Sequence, residues 1–166
     1  LIIGDPLDKN TDIGAVNSRT QLDTIQRYVD TGIKEGASCY ECSGTLPNKG
    51  FYFPPTLLTG VSQSSTVVQE EIFGPVLTIQ TFRTTEEAIE KANNTPYGLA
   101  NGIWTDKGSK IFHVGTKLKS GVVWSNTYNK FDPTSPFGGY KESGKGREGG
   151  ISGLHAYVKL ENSGGM

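Results

Sequence analysis

The segment EEIFGPVLTIQTFRTTEEAIEKA, residues 70–92, carries the clearest fold signal in this chain of 166 residues. A Gly-Pro turn leads into an apolar run at 75–82 that is typical of a strand. The TTEE that follows is a capping box, with Thr84 at the N-cap of a helix. Such strand and helix segments alternate along the chain. The alternation predicts an α/β fold, with a mostly parallel sheet and flanking helices.

The remaining segments fit the same architecture. Ser18 and Gln21 form a second capping box, followed by apolar residues at helical spacing: Leu22, Ile25, Tyr28, Val29 and Ile33. Pro54 and Pro55 predict that the aromatic stretch 51–58 lies at a sheet edge, because proline cannot donate to a ladder. A further helix is predicted over 107–119, and strands over 38–42, 99–105, 121–124 and 156–160.

Composition and charge exclude several classes of protein. With 34% hydrophobic residues and a net charge of −1, the chain fits one domain or one piece of a larger one. It shows no basic patch for nucleic acid and no apolar run near the roughly 18 residues of a membrane span. We therefore expect neither partner, and a cytoplasmic location, since no signal peptide is visible. The chain begins with Leu, which favours a piece of a longer protein.

Two cysteines, Cys39 and Cys42, form a C-x-x-C within a predicted strand. Residues three apart on a strand point to opposite faces, so the two thiols are not expected to face each other. One such pair is also too few ligands for a structural zinc site. The pattern favours a structural role over a redox or metal role, and we expect no metal site.

The hexapeptide at 70–75 places two carboxylates and an aromatic ring on a tight turn. A carboxylate can bind the hydroxyls of a ribose, as the acidic residue of dinucleotide sites does, and a ring on a turn can pack against a flat ligand. In the alternative interpretation, Glu70 and Glu71 are solvated loop charges and Phe73 belongs to the core. The residues alone leave both interpretations open.

A second block follows the apolar strand at 121–124. The loop from about 125 to 150 is rich in glycine and contains Phe131, Phe137 and Tyr140. Loops of this length in compact domains are often functional. The alternative is that these rings simply hold the loop against the core.

Both blocks resemble the aldehyde dehydrogenase superfamily. The family motifs E-E-I-F-G-P, N-x-x-x-Y-G-L-A and G-x-V-W-x-N are matched at 70–75, 93–100 and 121–126. The resemblance runs from about residue 1 to 160. It implies the C-terminal part of the catalytic domain: residues 1–150 would be a partial catalytic domain, and 151–166 a C-terminal helix, an oligomerisation strand and a flexible tail. Residues 130–135 are similar to the branch numbered family sixteen.

The resemblance also implies roles for four residues. Glu71 would bind the ribose near the nicotinamide of NAD or NADP, and Phe73 would contact the nicotinamide side. Phe131 and Phe137 would line the aldehyde tunnel, where apolar rings exclude water. The longer protein would oxidise an aldehyde to a carboxylic acid through a cysteine thioester, as a homo-oligomer joined by the strand at 156–160.

The family's catalytic residues lie in stretches that this chain does not contain. Its nucleophilic cysteine stands in F-x-x-x-G-Q-x-C and its general base in an E-L-G-G type of stretch, and neither occurs in these 166 residues. Cys39 and Cys42 lack the flanking residues of that nucleophile. We therefore expect no catalytic residue in this chain and no activity from it alone. The alternative is a non-enzymatic binding or assembly module with a dehydrogenase-like fold.

Overall fold

The structure, a computed structural model, describes residues 1–159 and divides the chain into two compact units, 1–81 and 82–166. The predicted division at residue 150 stays a prediction. The first unit contains α1 (Arg19–Lys34), β1 (Ser38–Glu41), β2 (Thr56–Thr59), α2 (Thr66–Gln69) and β3 (Val76–Ile79). The second contains α3 (Thr85–Asn93), β4 (Tyr97–Gly98), β5 (Ala100–Ile103), α4 (Gly108–Gly115), β6 (Val122–Ser125), β7 (Tyr140–Lys141) and α5 (Gly150–Leu154).

Helix α1 begins where the capping box predicts. The Ser18 hydroxyl accepts a hydrogen bond from the Gln21 backbone N–H at 3.2 Å. The predicted apolar stripe differs at its end, where Gly32 is buried and Ile33 is 47% exposed. A Cβ on Gly32 would lie 3.2 Å from Leu58, so the glycine lets the helix approach the sheet closely. The core of this unit consists of Ile25, Tyr28, Val29, Phe53, Leu58, Val67 and Ile72.

Strand β2 is the central strand of a three-stranded sheet, between antiparallel β1 and parallel β3. The predicted edge position for this stretch is therefore wrong. The strand begins at Thr56, so Pro54 and Pro55 precede the ladder and remove no hydrogen bond from it. The Pro55 carbonyl even accepts a bond from the Cys42 N–H, at 2.9 Å.

The second unit holds two small sheets, parallel β5–β6 and antiparallel β4–β7. Helix α3 is capped as predicted: the Thr84 hydroxyl accepts from the Glu87 N–H, and the Glu87 carboxylate accepts from the Arg83 N–H. Among the described residues of the second unit, Ile89 on this helix is the only buried apolar side chain. The α/β class is confirmed, although the strands form three small sheets in the described part of the chain.

The structure differs from the sequence prediction at the predicted terminal strand. The N–H groups of Ala156, Tyr157 and Val158 donate to carbonyls of Gly153 and Leu154, which continues the last helix as turns. A strand at this place needs a neighbouring strand, whereas α5 offers these N–H groups local acceptors. Residue 160 and the predicted tail lie outside the described residues. Within 1–159, no helix combines the length and apolarity needed to cross a membrane.

Candidate functional site

The loop between α2 and β3 buries one of the four side chains at 70–73 and exposes the other three. Ile72 is the buried one and is part of the core. Glu70 is exposed and accepts a hydrogen bond from the Tyr28 hydroxyl at 2.8 Å. The side chain of Glu71 is exposed, and that of Phe73 is 76% exposed. Phe73 is therefore not a core residue, and both adjacent carboxylates face solvent.

A side chain from the first turn of α1 fixes the backbone of this loop. The Gln21 amide nitrogen donates to the carbonyls of Ile72 and Phe73, at 3.0 Å each. Phe73 adopts a φ of 56°, which costs of order 1 kcal/mol for a residue with a Cβ and needs support from its surroundings. The two bonds supply that support at the strained residue itself.

Close packing fixes the end of the same loop. A Cβ on Gly74 would lie 2.4 Å from the Cδ1 of Ile25, a fully buried side chain, so no larger residue fits without displacing the core. Next to it, the Pro75 carbonyl accepts from the Thr56 N–H at 2.9 Å, which joins the loop to the central strand. The loop is thus held at both ends and in the middle.

The contact between Tyr28 and Glu70 also has an electrostatic effect. The hydrogen bond to Glu70, together with burial, raises the pKa of the Tyr28 hydroxyl above its ordinary 10.0. Tyr28 therefore stays protonated at neutral pH and remains a donor. This donor engages the Glu70 carboxylate, while the Glu71 carboxylate is exposed beside it.

Sequence reasoning missed the two residues that hold the loop. The sequence pattern identifies Gln21 only as a capping residue, and Tyr28 only as one member of an apolar stripe. Their partners lie 42 to 52 positions farther along the chain, so no local spacing could have identified them.

The second predicted pair of residues lies in the second unit, where the rings of Phe131 and Phe137 meet edge to face with centroids 4.9 Å apart. Phe131 also meets Trp124 edge to face at 5.5 Å. Phe131 is 57% exposed, whereas Phe137 is half-buried. Together with Tyr128 and Trp104, these rings form a continuous aromatic row, Trp104–Tyr128–Trp124–Phe131–Phe137.

Backbone contacts close the long loop that carries this row. Phe137 and Glu148 exchange both backbone hydrogen bonds at 2.7 Å. Gly121 and Gly138 approach so closely that a Cβ on Gly121 would lie 1.6 Å from the Gly138 carbonyl oxygen. The Arg147 guanidinium donates to the carbonyl of Gly139 at 2.8 Å. The loop is therefore folded on itself, with its aromatic row at the surface.

Sequence and structure comparisons assign the chain to a family. Residues 1–162 match the model of the aldehyde dehydrogenase family. The chain belongs to this family. It is 43% identical to the cytosolic 10-formyltetrahydrofolate dehydrogenase of Xenopus tropicalis and 41% identical to the mitochondrial aldehyde dehydrogenase of Homo sapiens; each alignment covers 96% of the chain, and 18% and 31% of those proteins.

Solved structures of aldehyde dehydrogenases share the fold of this chain. The NAD⁺ complex of an aldehyde dehydrogenase from Bacillus cereus superposes with a TM-score of 0.88 at 43% identity, over 95% of the chain and 32% of that structure. The indole-3-acetaldehyde dehydrogenase of P. syringae, in complex with NAD⁺ and IAA, gives 0.89 at 41% identity, over 96% and 33%. The chain thus spans about a third or less of the length of these proteins. Since the relatives are named as both cytosolic and mitochondrial, the cytoplasmic location stays a prediction.

The two cysteines of this chain are free thiols in different surroundings. Cys39 packs against the core, and burial, with a smaller contribution from Glu41, raises the pKa of its thiol. Cys42 lines a groove beside Tyr40 and Leu57. A raised pKa disfavours the nucleophilic thiolate at Cys39. Among residues 1–159, no cluster of three or more His, Cys, Asp or Glu side chains could hold a metal ion.

Proposed function

We propose that this chain is part of an NAD- or NADP-dependent aldehyde dehydrogenase that oxidises an aldehyde to a carboxylic acid. Membership of the family supports the reaction class. The observation that carries the assignment of a site is the loop at 70–75, which presents Glu71 and Phe73 outward from a strained and well-supported backbone. A residue that is held in a strained conformation and carries an exposed ring supports a binding role for the loop.

The chemistry of this loop fits a nicotinamide cofactor. The exposed Glu71 carboxylate would accept hydrogen bonds from the ribose hydroxyls, and the Phe73 ring would pack against the nicotinamide side. When bound, the cofactor supplies the hydride acceptor. The chain itself contributes orientation: Gln21, Tyr28 and Gly74 hold the loop so that the carboxylate and the ring need no rearrangement on binding.

In the second unit, Phe131 and Phe137 would form part of the wall of the aldehyde site. Their edge-to-face contact fixes both rings, and together they offer an apolar surface that excludes water from a reacting carbonyl. The support is the contact with Trp124, which holds Phe131 in place. The wall suits a hydrophobic aldehyde better than a charged one.

The nucleophile and the general base would come from the longer protein. We propose that this chain contributes cofactor and substrate contacts only, and that it is the C-terminal part of the catalytic domain. Alone it would be inactive. The longer protein would form a homo-oligomer through its C-terminal segment, as the resemblance to the family implies.

The test of the cofactor site is Glu71→Gln in the longer protein. Removal of the charged acceptor should raise the KM for the cofactor about tenfold or more, with a smaller effect on the KM for the aldehyde. Asp23→Asn is the matched control, because Asp23 is an exposed carboxylate of the same unit, on α1. An unchanged cofactor KM and kcat in Glu71→Gln would remove Glu71 from the site.

A second assay separates the enzyme from the non-enzymatic alternative. The 166-residue chain and the longer protein are incubated with NAD or NADP and an apolar aldehyde, and reduced cofactor is followed by its absorbance. We expect turnover from the longer protein and none from the chain. Turnover by the chain that survives Cys39→Ser and Cys42→Ser contradicts the mechanism, and a longer protein without turnover favours the assembly module.

A further inference from the structure

One face of the three-stranded sheet bears a row of exposed apolar side chains. Tyr40, Leu57 and Leu77 are register partners on β1, β2 and β3, so they lie side by side across the sheet. They are 59%, 40% and 59% exposed. Their neighbours Leu58 and Cys39 point to the other face and pack in the core with α1. One face of the sheet is thus covered and the other is open.

The row forms the floor of a groove of about 510 Å³. Leu1, Ile13 and Pro75 extend its apolar lining, and Glu41 is the only charged residue on the lining among the residues that the structure describes. A contiguous apolar surface of this kind, with so little charge, marks a contact with another apolar element. A solvent-facing sheet surface would carry polar residues at these alternating positions.

The lengths of the relatives indicate what that element is. The fold of this chain recurs with a TM-score of 0.88 in an aldehyde dehydrogenase of which it covers only 32%. About two thirds of such a protein therefore lies outside the matched region. In α/β folds with parallel strand pairs, chain segments cover both faces of the sheet. On the other face of this sheet, α1 already has that role.

We propose that an apolar segment of the same polypeptide, outside these 166 residues, packs on the row Tyr40–Leu57–Leu77. The proposal rests on the proposed function in one respect, since it requires that the chain is part of a longer protein. The segment inserts apolar side chains between Tyr40 and Leu77 and buries Leu57 at the centre of the sheet. Without it, the isolated chain keeps an open apolar face.

The native thiols provide a direct test. Cys42 lines the groove, while Cys39 packs on the opposite face and serves as the internal reference. Both proteins are treated under native conditions with iodoacetamide, and the modified peptides are quantified by mass spectrometry. The ratio of the Cys42 rate to the Cys39 rate should fall about tenfold or more in the longer protein, because a covered thiol reacts only after local opening. An equal ratio in the two proteins overturns the proposal.

Two outcomes identify a different occupant or separate this proposal from the proposed function. If raising the concentration of the isolated chain protects Cys42 to the same extent, a second copy covers the face and the proposal is wrong. Aldehyde oxidation is measured on the same preparations. If the longer protein turns over substrate while Cys42 stays reactive, the proposed function is supported and the proposed interface is wrong. If the longer protein protects Cys42 but shows no turnover, the proposed interface is supported and the proposed function is wrong.

A substitution tests the same surface by stability. Leu77→Glu should lower the Tm of the longer protein by several degrees, because it buries a charge, and leave the isolated chain nearly unchanged. Phe112→Glu is the matched control, since Phe112 is a large apolar residue on α4 that is 78% exposed. Equal and small effects of the two substitutions in the longer protein contradict the proposal.

Discussion

The loop at 70–75 and the loop at 126–150 both expose aromatic rings, yet the chain holds them by different means. Polar side chains from α1 hold the first: Gln21 binds two of its carbonyls and Tyr28 binds Glu70. Backbone contacts hold the second, through the exchange between Phe137 and Glu148 and the approach of Gly121 to Gly138. Substitutions on α1 can therefore weaken the support of the loop at 70–75 one hydrogen bond at a time. The loop at 126–150 instead depends on positions that tolerate no Cβ.

The amount of side-chain packing inside each unit explains this difference. The first unit has a core of seven buried side chains, and its loop is anchored in that core through Ile72. In the second unit, Ile89 is the only buried apolar side chain among the described residues. With so little side-chain burial, close backbone approaches determine the shape of the long loop, and this is why glycines are concentrated there.

The largest effect is expected for Gly121→Ala. The new Cβ would lie 1.6 Å from the Gly138 carbonyl oxygen, a backbone atom that cannot move without opening the loop. We expect a loss of about 3 kcal/mol in the free energy of unfolding. The measurement is denaturant unfolding followed by circular dichroism.

The control for this prediction lies in the loop that Gly121 approaches. Gly146 has no atom within 4 Å of its potential Cβ and no positive φ, so Gly146→Ala should change stability by about 0.5 kcal/mol or less. If the two alanine variants are equally stable, close backbone approach does not hold this loop, and the two loops do not differ in the way they are supported.

An intermediate effect is expected for Gln21→Leu. It removes the hydrogen bonds to the carbonyls of Ile72 and Phe73, and should cost about 1 to 2 kcal/mol. Gln26→Leu is the control, because Gln26 bonds only to Asp30 within the exposed face of the same helix, where such pairs contribute about 0.5 kcal/mol or less. Calorimetry measures the stability of both variants.

The same pair of variants tests whether the loop is held for binding. In the longer protein, Gln21→Leu should raise the KM for the cofactor and leave the KM for the aldehyde nearly unchanged, while Gln26→Leu changes neither. A uniform fall in kcat with both KM values unchanged would mean that Gln21 contributes to stability alone.

The smallest effect is expected for Tyr28→Phe, about 1 kcal/mol at neutral pH, because one hydrogen bond to Glu70 is lost. Folding raises the pKa of Tyr28 above 10.0. The stabilisation is therefore fully present below pH 10.0 and is lost as the pH rises through the folded pKa, where the hydroxyl can no longer donate. The difference in the free energy of unfolding between wild type and Tyr28→Phe should be constant below pH 10.0 and should decrease as the pH rises through the folded pKa.

The control for the hydroxyl is Tyr40→Phe, since Tyr40 is exposed on the sheet of the same unit. In the isolated chain this change should have no measurable effect at any pH. The measurement is the Tm of wild type, Tyr28→Phe and Tyr40→Phe at a series of increasing pH values. A difference for Tyr28→Phe that persists unchanged well above pH 10.0 is the outcome that contradicts the proposed contact.

Local patterns predicted most of the fold. The capping boxes at Ser18 and Thr84 identified the starts of α1 and α3, because an N-cap is a contact between residues three apart. The apolar runs identified β3, β5 and β6. Local patterns failed where the decisive contact was distant. Pro54 and Pro55 suggested an edge strand, and only the pairing with β1 and β3 shows that the ladder begins just after them.

In the candidate site, too, local patterns identified residues but not the distant contacts that orient them. The motif at 70–75 singled out Glu71 and Phe73, but the residues alone could not decide whether Phe73 points into the core or away from it. The orientation of this loop is set by Ile72 in the core and by Gln21, a residue 51 positions before Ile72. Contacts over such separations leave no periodic trace in the sequence.

The aromatic row has a consequence for observing the chain in solution. Both tryptophans, Trp104 and Trp124, belong to this row, and therefore to the second unit. Tryptophan emission thus reports on that unit alone, whereas the 16-residue helix α1 in the first unit contributes strongly to far-ultraviolet circular dichroism. The two signals follow the two halves of one polypeptide separately, and coincident transitions would mean that the halves unfold as one cooperative body.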